Sequence, residues 1–302
     1  MVGNILKSGN RFGLDNDNRG KWLPANIKPA AKADVLYFAG CMSSFKSTEI
    51  AKSTVKILDA AGIKFAMLPE EKCCGNIPYS VGMIEETKKI AKENIAAIKK
   101  TGAKTVIVSC AECYRTFRVD YPKALGISTS DLGFNVVHLV EYVNELVNKG
   151  TIKFKKPLNM KLVYHDSCSL SRLGEPWTKW SGERGQWGVV SPKLERRRGN
   201  KGVYQQPRDI LKAIPGIELV ETIRKRENNW CCGAGRGVLE AYPDFALWTA
   251  EKKLEEVNEA GVEGMVSACP WCKENFNRAV KKTGDKLKIY DIAEVIAQAI
   301  SK

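Results

Sequence analysis

Two adjacent cysteines run straight into glycine at two places, Cys73-Cys74-Gly75 and Cys231-Cys232-Gly233, and the second run continues as Ala234-Gly235-Arg236. Residues joined by a trans peptide hold their Cα atoms about 3.8 Å apart, below the roughly 4.4–6.8 Å that disulfides span. A bridge within either pair would be strained, and two thiolates aimed together at a third body suit the geometry better. Glycine allows that body close to the backbone and offers it N–H donors. Each pair belongs to a longer set. The first is Cys41, 31 residues, Cys73-Cys74, 35 residues, Cys110-x-x-Cys113; the second is Cys168, 62 residues, Cys231-Cys232, 36 residues, Cys269-x-x-Cys272. Any fold for this chain must gather five distant cysteines in one place, and must do so twice.

The local pattern supplies a way. Val35 to Phe38 is a short apolar run ended by Gly40-Cys41; residues 46–61 carry apolar positions at helical spacing; Ile63 to Leu68 reads as a strand leading to Cys73. A Lys/Glu-rich helix over about 81–101 is stopped by Gly102, and Thr105 to Val108 delivers Cys110 and Cys113. Val136 and Val137 form a further short strand before a helix over 138–148. The plan then repeats: Lys161 to His165 before Cys168, a helix at 207–214, Ile217 to Thr222 before Cys231, a helix at about 243–260, Gly264 to Ala268 before Cys269, and Lys288 to Ala293. Alternating strands and helices predict a parallel α/β sheet in each half. Every cysteine stands at or just after a strand's C-terminal end, the edge where open parallel sheets bind ligands. The expected fold class is therefore α/β: two tandem Rossmann-like halves related by pseudo-twofold symmetry, with the sites at the C-terminal strand ends. The expected boundaries are an arm over 1–32, loosely packed, a first domain over 33–155 and a second over 156–302.

Composition narrows the function. With 44% hydrophobic and 27% charged residues the chain reads as an ordinary soluble protein. It has no run of the roughly eighteen apolar residues a membrane span needs and no apolar signal region near its start, which predicts a cytoplasmic protein without membrane insertion. Ten cysteines in a reducing compartment then point to ligands or redox groups rather than disulfides. The net charge of +14 suits an anionic substrate or acidic partner. No nucleic-acid motif accompanies it, and only His138 and His165 could serve a zinc finger, so nucleic-acid binding is not expected.

A lone Cys-x-x-Cys is shared by redox dithiols, zinc sites and clusters. A structural zinc or a cubane 4Fe-4S cluster uses four thiolates, so five per half leaves one idle or calls for a different cluster. The doubled pattern resembles the CCG cysteine-rich domain family, which includes the B-type and D-type chains of heterodisulfide reductase and related components of lactate, glycolate and thiol:fumarate oxidoreductases. The resemblance covers about 33–302 and is closest at Tyr164-His165-Asp166-Ser167-Cys168, Arg226 to Gly235, and Ala268-Cys269-Pro270-Trp271-Cys272. It implies two 4Fe-4S clusters of noncubane type. Cys41, Cys73, Cys74, Cys110 and Cys113 would hold one, and Cys168, Cys231, Cys232, Cys269 and Cys272 the other. Gly75, Gly233, Ala234, Gly235 and Arg236 would lie against the cofactors. The implied chemistry is cleavage or formation of disulfides in a small sulfur-containing substrate, or sulfur transfer. Electrons would come through a ferredoxin-like C-type iron–sulfur subunit and a flavin-containing A-type subunit. No cysteine precedes Cys41, which resembles the B-type subunits. The alternatives are an electron relay of the lactate or glycolate dehydrogenase type and a zinc-stabilised scaffold.

The long gap in the second set marks an insertion at about 175–202, carrying Trp177, Trp180, Trp187 and the run Lys193-Leu194-Glu195-Arg196-Arg197-Arg198. It is expected as a lid or anionic-substrate wall over the second cluster, or as a surface loop or subunit contact. His165 is a candidate to hydrogen-bond a cluster or move a proton, with a structural strand-end role as the alternative; His138 reads as core. Arg224, Arg226 and Arg236 flank the second pair, Arg224 as solvated surface. Trp230 and Trp271 are expected to shield a cluster from water.

Overall fold

The computed structural model describes residues 1–194 and 196–300. Strands β1 (Val35–Phe38), β2 (Phe65–Ala66), β3 (Thr105–Val108) and β4 (Asn135–His138) form a wholly parallel sheet in the order β2-β1-β3-β4. The second half contributes β5 (Met160–His165), a small antiparallel ribbon of β6 (Glu183–Arg184) and β7 (Val190–Ser191), then β8 (Ile217–Val220), β9 (Gly264–Ser267) and β10 (Lys288–Asp291). Its main sheet runs β8-β5-β9-β10, again parallel throughout. The two sheets thus share one strand order, and the halves are tandem and Rossmann-like. The expected strand Ile63–Leu68 contracts to Phe65–Ala66, an edge pair held by two registered residues.

The centre strands read as unbroken apolar runs because helices cover both faces. Leu36, Tyr37 and Phe38 of β1 are fully buried, and Tyr37 aligns with Ile107 of β3, which aligns with Val137 of β4. The helix Ile84–Lys100 places Glu85 and Glu86 in its first turn and Lys99 and Lys100 in its last, complementing the macrodipole, and buries Thr87, Ala91, Asn94 and Ile98 on one face. Its counterpart Pro243–Glu259 starts with proline at the first helical position, where the missing N–H costs nothing. The halves interlock: helix Thr48–Ala60 packs on the C-terminal helix Ile292–Ala299, and helix Leu139–Asn148 packs on helix Gln205–Ala213.

Two residues at equivalent strand ends start equivalent helices. His138 Nδ1 accepts from the Val140 N–H, and Asp291 Oδ1 accepts from the Ala293 N–H at 2.9 Å, each closed into a capping box by Glu141 or Glu294. Burial, with Glu294 nearby, pushes the Asp291 carboxyl well above its ordinary range. Asp291→Ala is expected to cost about 1 kcal/mol, and Asp291→Asn, which keeps the cap acceptor, much less. Denaturant titration of the two variants reads the difference.

The first thirty-two residues, expected to pack loosely, are instead built into the molecule. Ile5, Trp22 and Ile27 join the core, Trp22 meets Tyr37 edge-on at 6.4 Å, and Asn10, Arg11 and Arg19 are buried. The sequence misleads here because basic, Asn-rich stretches normally stay in water, whereas Asn10 and Arg19 find their hydrogen-bond partners within the protein. The base of the insertion is also anchored: the Trp177 N–H donates to the Arg118 carbonyl at 3.0 Å, and the Thr129 N–H donates to the Trp177 carbonyl at 2.8 Å. Its tip, the ribbon β6–β7, stands in solvent, with Trp187 91% exposed. Glu195 of the basic run lies outside the described residues. Among the described residues no helix is long and apolar enough to cross a membrane.

Candidate metal centre

Cys41, Cys110, Cys168 and Cys269 follow closely on strand ends, whereas the adjacent pairs Cys73-Cys74 and Cys231-Cys232 are reached through loops after β2 and β8; all ten are free thiols. Cys41 sits in the short helix Gly40–Phe45 after β1, Cys110 and Cys269 cap the helices after β3 and β9, and Cys113 and Cys272 lie one turn further on. The first set converges. Cys41, Cys73, Cys74, Cys110 and Cys113 line one narrow cavity of about 20 Å³, together with Arg11, Met42, Asn76, Glu112 and Trp271. In the second set Cys272 Sγ lies 3.2 Å from Cys232 Sγ and 3.6 Å from Ser167 Oγ. Cys231 lies near Cys168 and Cys232, which lower its thiol. The two sets also approach each other: Cys110 and Cys269, its equivalent in the other half, lie close enough to shift each other's ionisation.

These neighbours lower some thiols and raise their partners: Cys73, Cys110, Cys113, Cys168, Cys232 and Cys272 are pushed well above the ordinary thiol range. The neighbouring Cys113 thiol holds Cys74 well below the ordinary thiol range, and Cys110 does the same for Cys269. Cys73 lowers Cys41 to about 7, and Cys168 lowers Cys231. The turn glycines contribute as their spacing suggests. Gly75 and Gly233 adopt φ of +75° and +80°, and each N–H donates at 3.4 Å to the first sulfur of its own pair, Cys73 or Cys231. A Cβ on Gly233 would stand 2.6 Å from the Ala246 carbonyl oxygen, so no other residue fits there.

The residues around the thiols cross between halves. Trp271, expected beside its own cluster, lines the cavity of the first set and carries Arg11 over its ring at 3.7 Å. Reciprocally, Glu112 from the first Cys-x-x-Cys accepts the Arg236 N–H at 2.6 Å in the second half, takes the Asn76 amide on its other oxygen, and faces Arg11 at 3.6 Å. Burial pushes the Glu112 carboxyl up to about 7 against the attraction of Arg11. Gly235 sits directly against this carboxylate, and Ala234 is fully buried. Arg236 itself reaches Asp120 at 2.8 Å and Ser80 Oγ at 2.8 Å.

His165 is buried with one ring nitrogen within 4.8 Å of the Cys232 and Cys272 sulfurs. Asn229 Nδ2 lies 3.0 Å from His165 Nδ1 and 3.0 Å from the Asp166 carbonyl. A carbonyl only accepts, so the Asn229 nitrogen is the donor, Nδ1 accepts, and the neutral ring carries its proton on Nε2. Burial, reinforced by Lys253, lowers the ring to about 3. This arrangement suits a hydrogen-bond donor rather than a proton carrier. Asp166, next in sequence, binds Arg208 through both oxygens at 2.7 and 2.8 Å and accepts the Arg226 N–H at 2.7 Å. His138, by contrast, is a buried helix cap. Trp230 is half-buried with its N–H on the Thr249 carbonyl, and Arg224 lies over its ring at 4.5 Å and pairs with Glu256, more engaged than a solvated residue.

Sequence reasoning misses Glu71, Glu112, Arg11 and Arg19. Glu71 accepts the N–H groups of Ala39 and Gly40 at 2.8 and 2.9 Å and pairs with Arg19 at 2.8 Å. Its place two residues before the first cysteine pair, matching Asn229 before the second, is the signal available.

Five converging thiols per set, partly ionised by their neighbours and met by backbone N–H groups, fit an iron–sulfur cluster, which is held by cysteine thiolates. The comparisons with known proteins agree. The family model for the CCG cysteine-rich domain matches residues 35–118 and 194–277, more than half of the chain; the second span includes Cys231, Cys232, Cys269 and Cys272 and starts beyond Cys168. Over 295 residues the chain is 33% identical to the D-type component of the dihydromethanophenazine:CoB–CoM heterodisulfide reductase of Methanosarcina barkeri, covering 96% of this chain and 65% of that protein. It is 26% identical to the B-type component of the CoM/CoB fumarate reductase of Methanothermobacter marburgensis, covering 98% of this chain and 53% of that one. The chain therefore spans about two thirds or less of these relatives. A hypothetical protein from Helicobacter pylori shares the fold, with a TM-score of 0.59 at 12% identity over 100% of this chain and 57% of its own. With two such domains, and with iron–sulfur oxidoreductase components among its relatives, the chain belongs to the CCG cysteine-rich domain family.

Proposed function

We propose that the chain is the iron–sulfur subunit of a heterodisulfide reductase-like complex, carrying two noncubane 4Fe-4S clusters and cleaving or forming disulfides. The observation that carries this reading is the fifth cysteine: each set presents one thiol more than a cubane uses, at equivalent places in both halves. The balanced reaction takes a disulfide, two electrons and two protons to two thiols, or runs in reverse, and sulfur transfer would use the same sites. When bound, the clusters would supply one-electron exchange and iron to hold a sulfur atom. The chain's own part is to fix the thiolates, exclude water and donate hydrogen bonds, with Gly75, Gly233 and His165 as the donors in place.

The electrons would pass through partner subunits, a ferredoxin-like iron–sulfur protein and a flavoprotein, and the cytoplasm suits ten free thiols. The proximity of Cys110 and Cys269, felt in each other's ionisation, supports electron exchange between the two sets. A pure electron relay is the competing reading. Oxidised protein purified without oxygen should change its electron paramagnetic resonance spectrum when a small thiol is added. A spectrum indifferent to thiols and disulfides would favour the relay.

A further inference from the structure

The two sets differ at one pair of equivalent positions. All five cysteines of the first set are buried, and so are Cys232, Cys269 and Cys272 of the second. Cys168 and Cys231 are partly exposed, whereas their counterparts Cys41 and Cys73 are 8% and 3% exposed. Both of those counterparts are touched by the N-terminal arm. Arg19 Nη2 lies 3.6 Å from Cys41 Sγ, and the Cys73 N–H donates to the Gly9 carbonyl at 2.7 Å. The same Arg19 is fixed by Glu71 and by the Gly9 carbonyl, and Arg11 of the arm lies on Trp271 at the rim of the cavity. Where the first half has this arm, β5 of the second half is preceded by only the short linker after helix Leu139–Asn148.

We propose that the second set alone takes an external sulfur ligand, from the side of Cys168 and Cys231, and that residues 9–19 of the arm seal the first set into an internal electron site. The inference rests on the clusters proposed above. Basic side chains stand between Cys168 of the open side and Cys74 of the first set: Arg115 lies within electrostatic reach of Cys168, and Asp120 within that of Cys74. Arg115 and Arg236 converge on the buried Asp120, at 3.7 and 2.8 Å, leaving two guanidinium groups against one carboxylate. Arg197 of the insertion binds the Leu173 carbonyl, and the Leu173 N–H in turn binds the Cys168 carbonyl at 2.9 Å. Arg197 Nε and Arg236 Nη1 are buried and make no hydrogen bond. Unpaired buried donors of this kind are costly, and a ligand's acceptor atoms would satisfy them.

The test uses cluster-loaded full-length protein and 2-mercaptoethanol as the probe. The Cys74→Ser variant, weakened in the first set, is expected to keep the thiol-dependent spectral change, and Cys232→Ser, weakened in the second, to lose it. Adding Arg19→Ala to Cys232→Ser should restore a response by opening the first set. Brief alkylation of unmutated loaded protein with iodoacetamide, read by mass spectrometry, should label Cys168 and Cys231 before Cys41 and Cys73, and it decides the matter if a variant fails to fold. A response that survives in Cys232→Ser and vanishes in Cys74→Ser, or Cys41 labelling as fast as Cys168, overturns the inference and leaves the proposed function standing. Loaded protein with no thiol response at either set overturns both.

Discussion

Asp166→Ala is expected to lower stability by about 3–5 kcal/mol, because it leaves the guanidinium of Arg208 buried with its main partner gone. Both oxygens of Asp166 are committed to Arg208, whose side chain is 1% exposed, and Glu221, the remaining partner, is partly in solvent. The same carboxylate accepts the Arg226 N–H and so ties the end of β5, which leads to Cys168, to the loop that leads to Cys231. The loss should therefore appear twice, in denaturant unfolding and in weakened cluster retention at the second set. Replacing both partners with apolar residues, Asp166→Leu with Arg208→Met, should cost less than Asp166→Ala alone, since no unpaired charge remains buried. A double variant as unstable as the sum of its parts would mean that Asp166 does not act through Arg208.

Glu112→Ala should be nearly as severe, about 3 kcal/mol, for a different reason. Glu112 is the joint between the halves: one oxygen holds the Arg236 N–H beyond the second cysteine pair, the other the amide of Asn76 beyond the first. Removing it strands two buried donors and frees Arg11 from one of its two carboxylate partners, Glu240 being the other. Glu112→Gln keeps one acceptor but turns an amide N–H toward the other donor, and should cost about 1–2 kcal/mol, less than Glu112→Ala. Thermal unfolding of the pair reads the contrast. Equal destabilisation by both changes would show that the charge, not the acceptor, holds the joint.

The parts of the molecule legible in the sequence are those set by short-range rules. Strand runs such as Val35–Phe38 and Thr105–Val108, the glycine stops and the place of each cysteine after its strand follow from periodicity, and the duplication doubles every signal. The contents of the sites are less legible because they depend on residues that fold back from far away. Arg19 meets Cys41 across 22 positions and Glu71 across 52, and no local pattern in a polar N-terminal stretch announces that. Trp271 shows the same limit: it neighbours Cys272 in the chain, but its ring lines the cavity of the first half's cysteines. Asp166 is visible only as part of a motif, since its partner Arg208 lies on a helix whose buried face reads as ordinary surface until the ion pair is seen.

That each half holds a cluster on five thiolates is the central claim. The most direct measurement is iron and acid-labile sulfide per chain in protein purified without oxygen. The expected result is about eight irons and eight sulfides, two 4Fe-4S clusters, falling by about half in Cys74→Ser and likewise by about half in Cys232→Ser. Zinc without sulfide, persisting after anaerobic reconstitution, would contradict it.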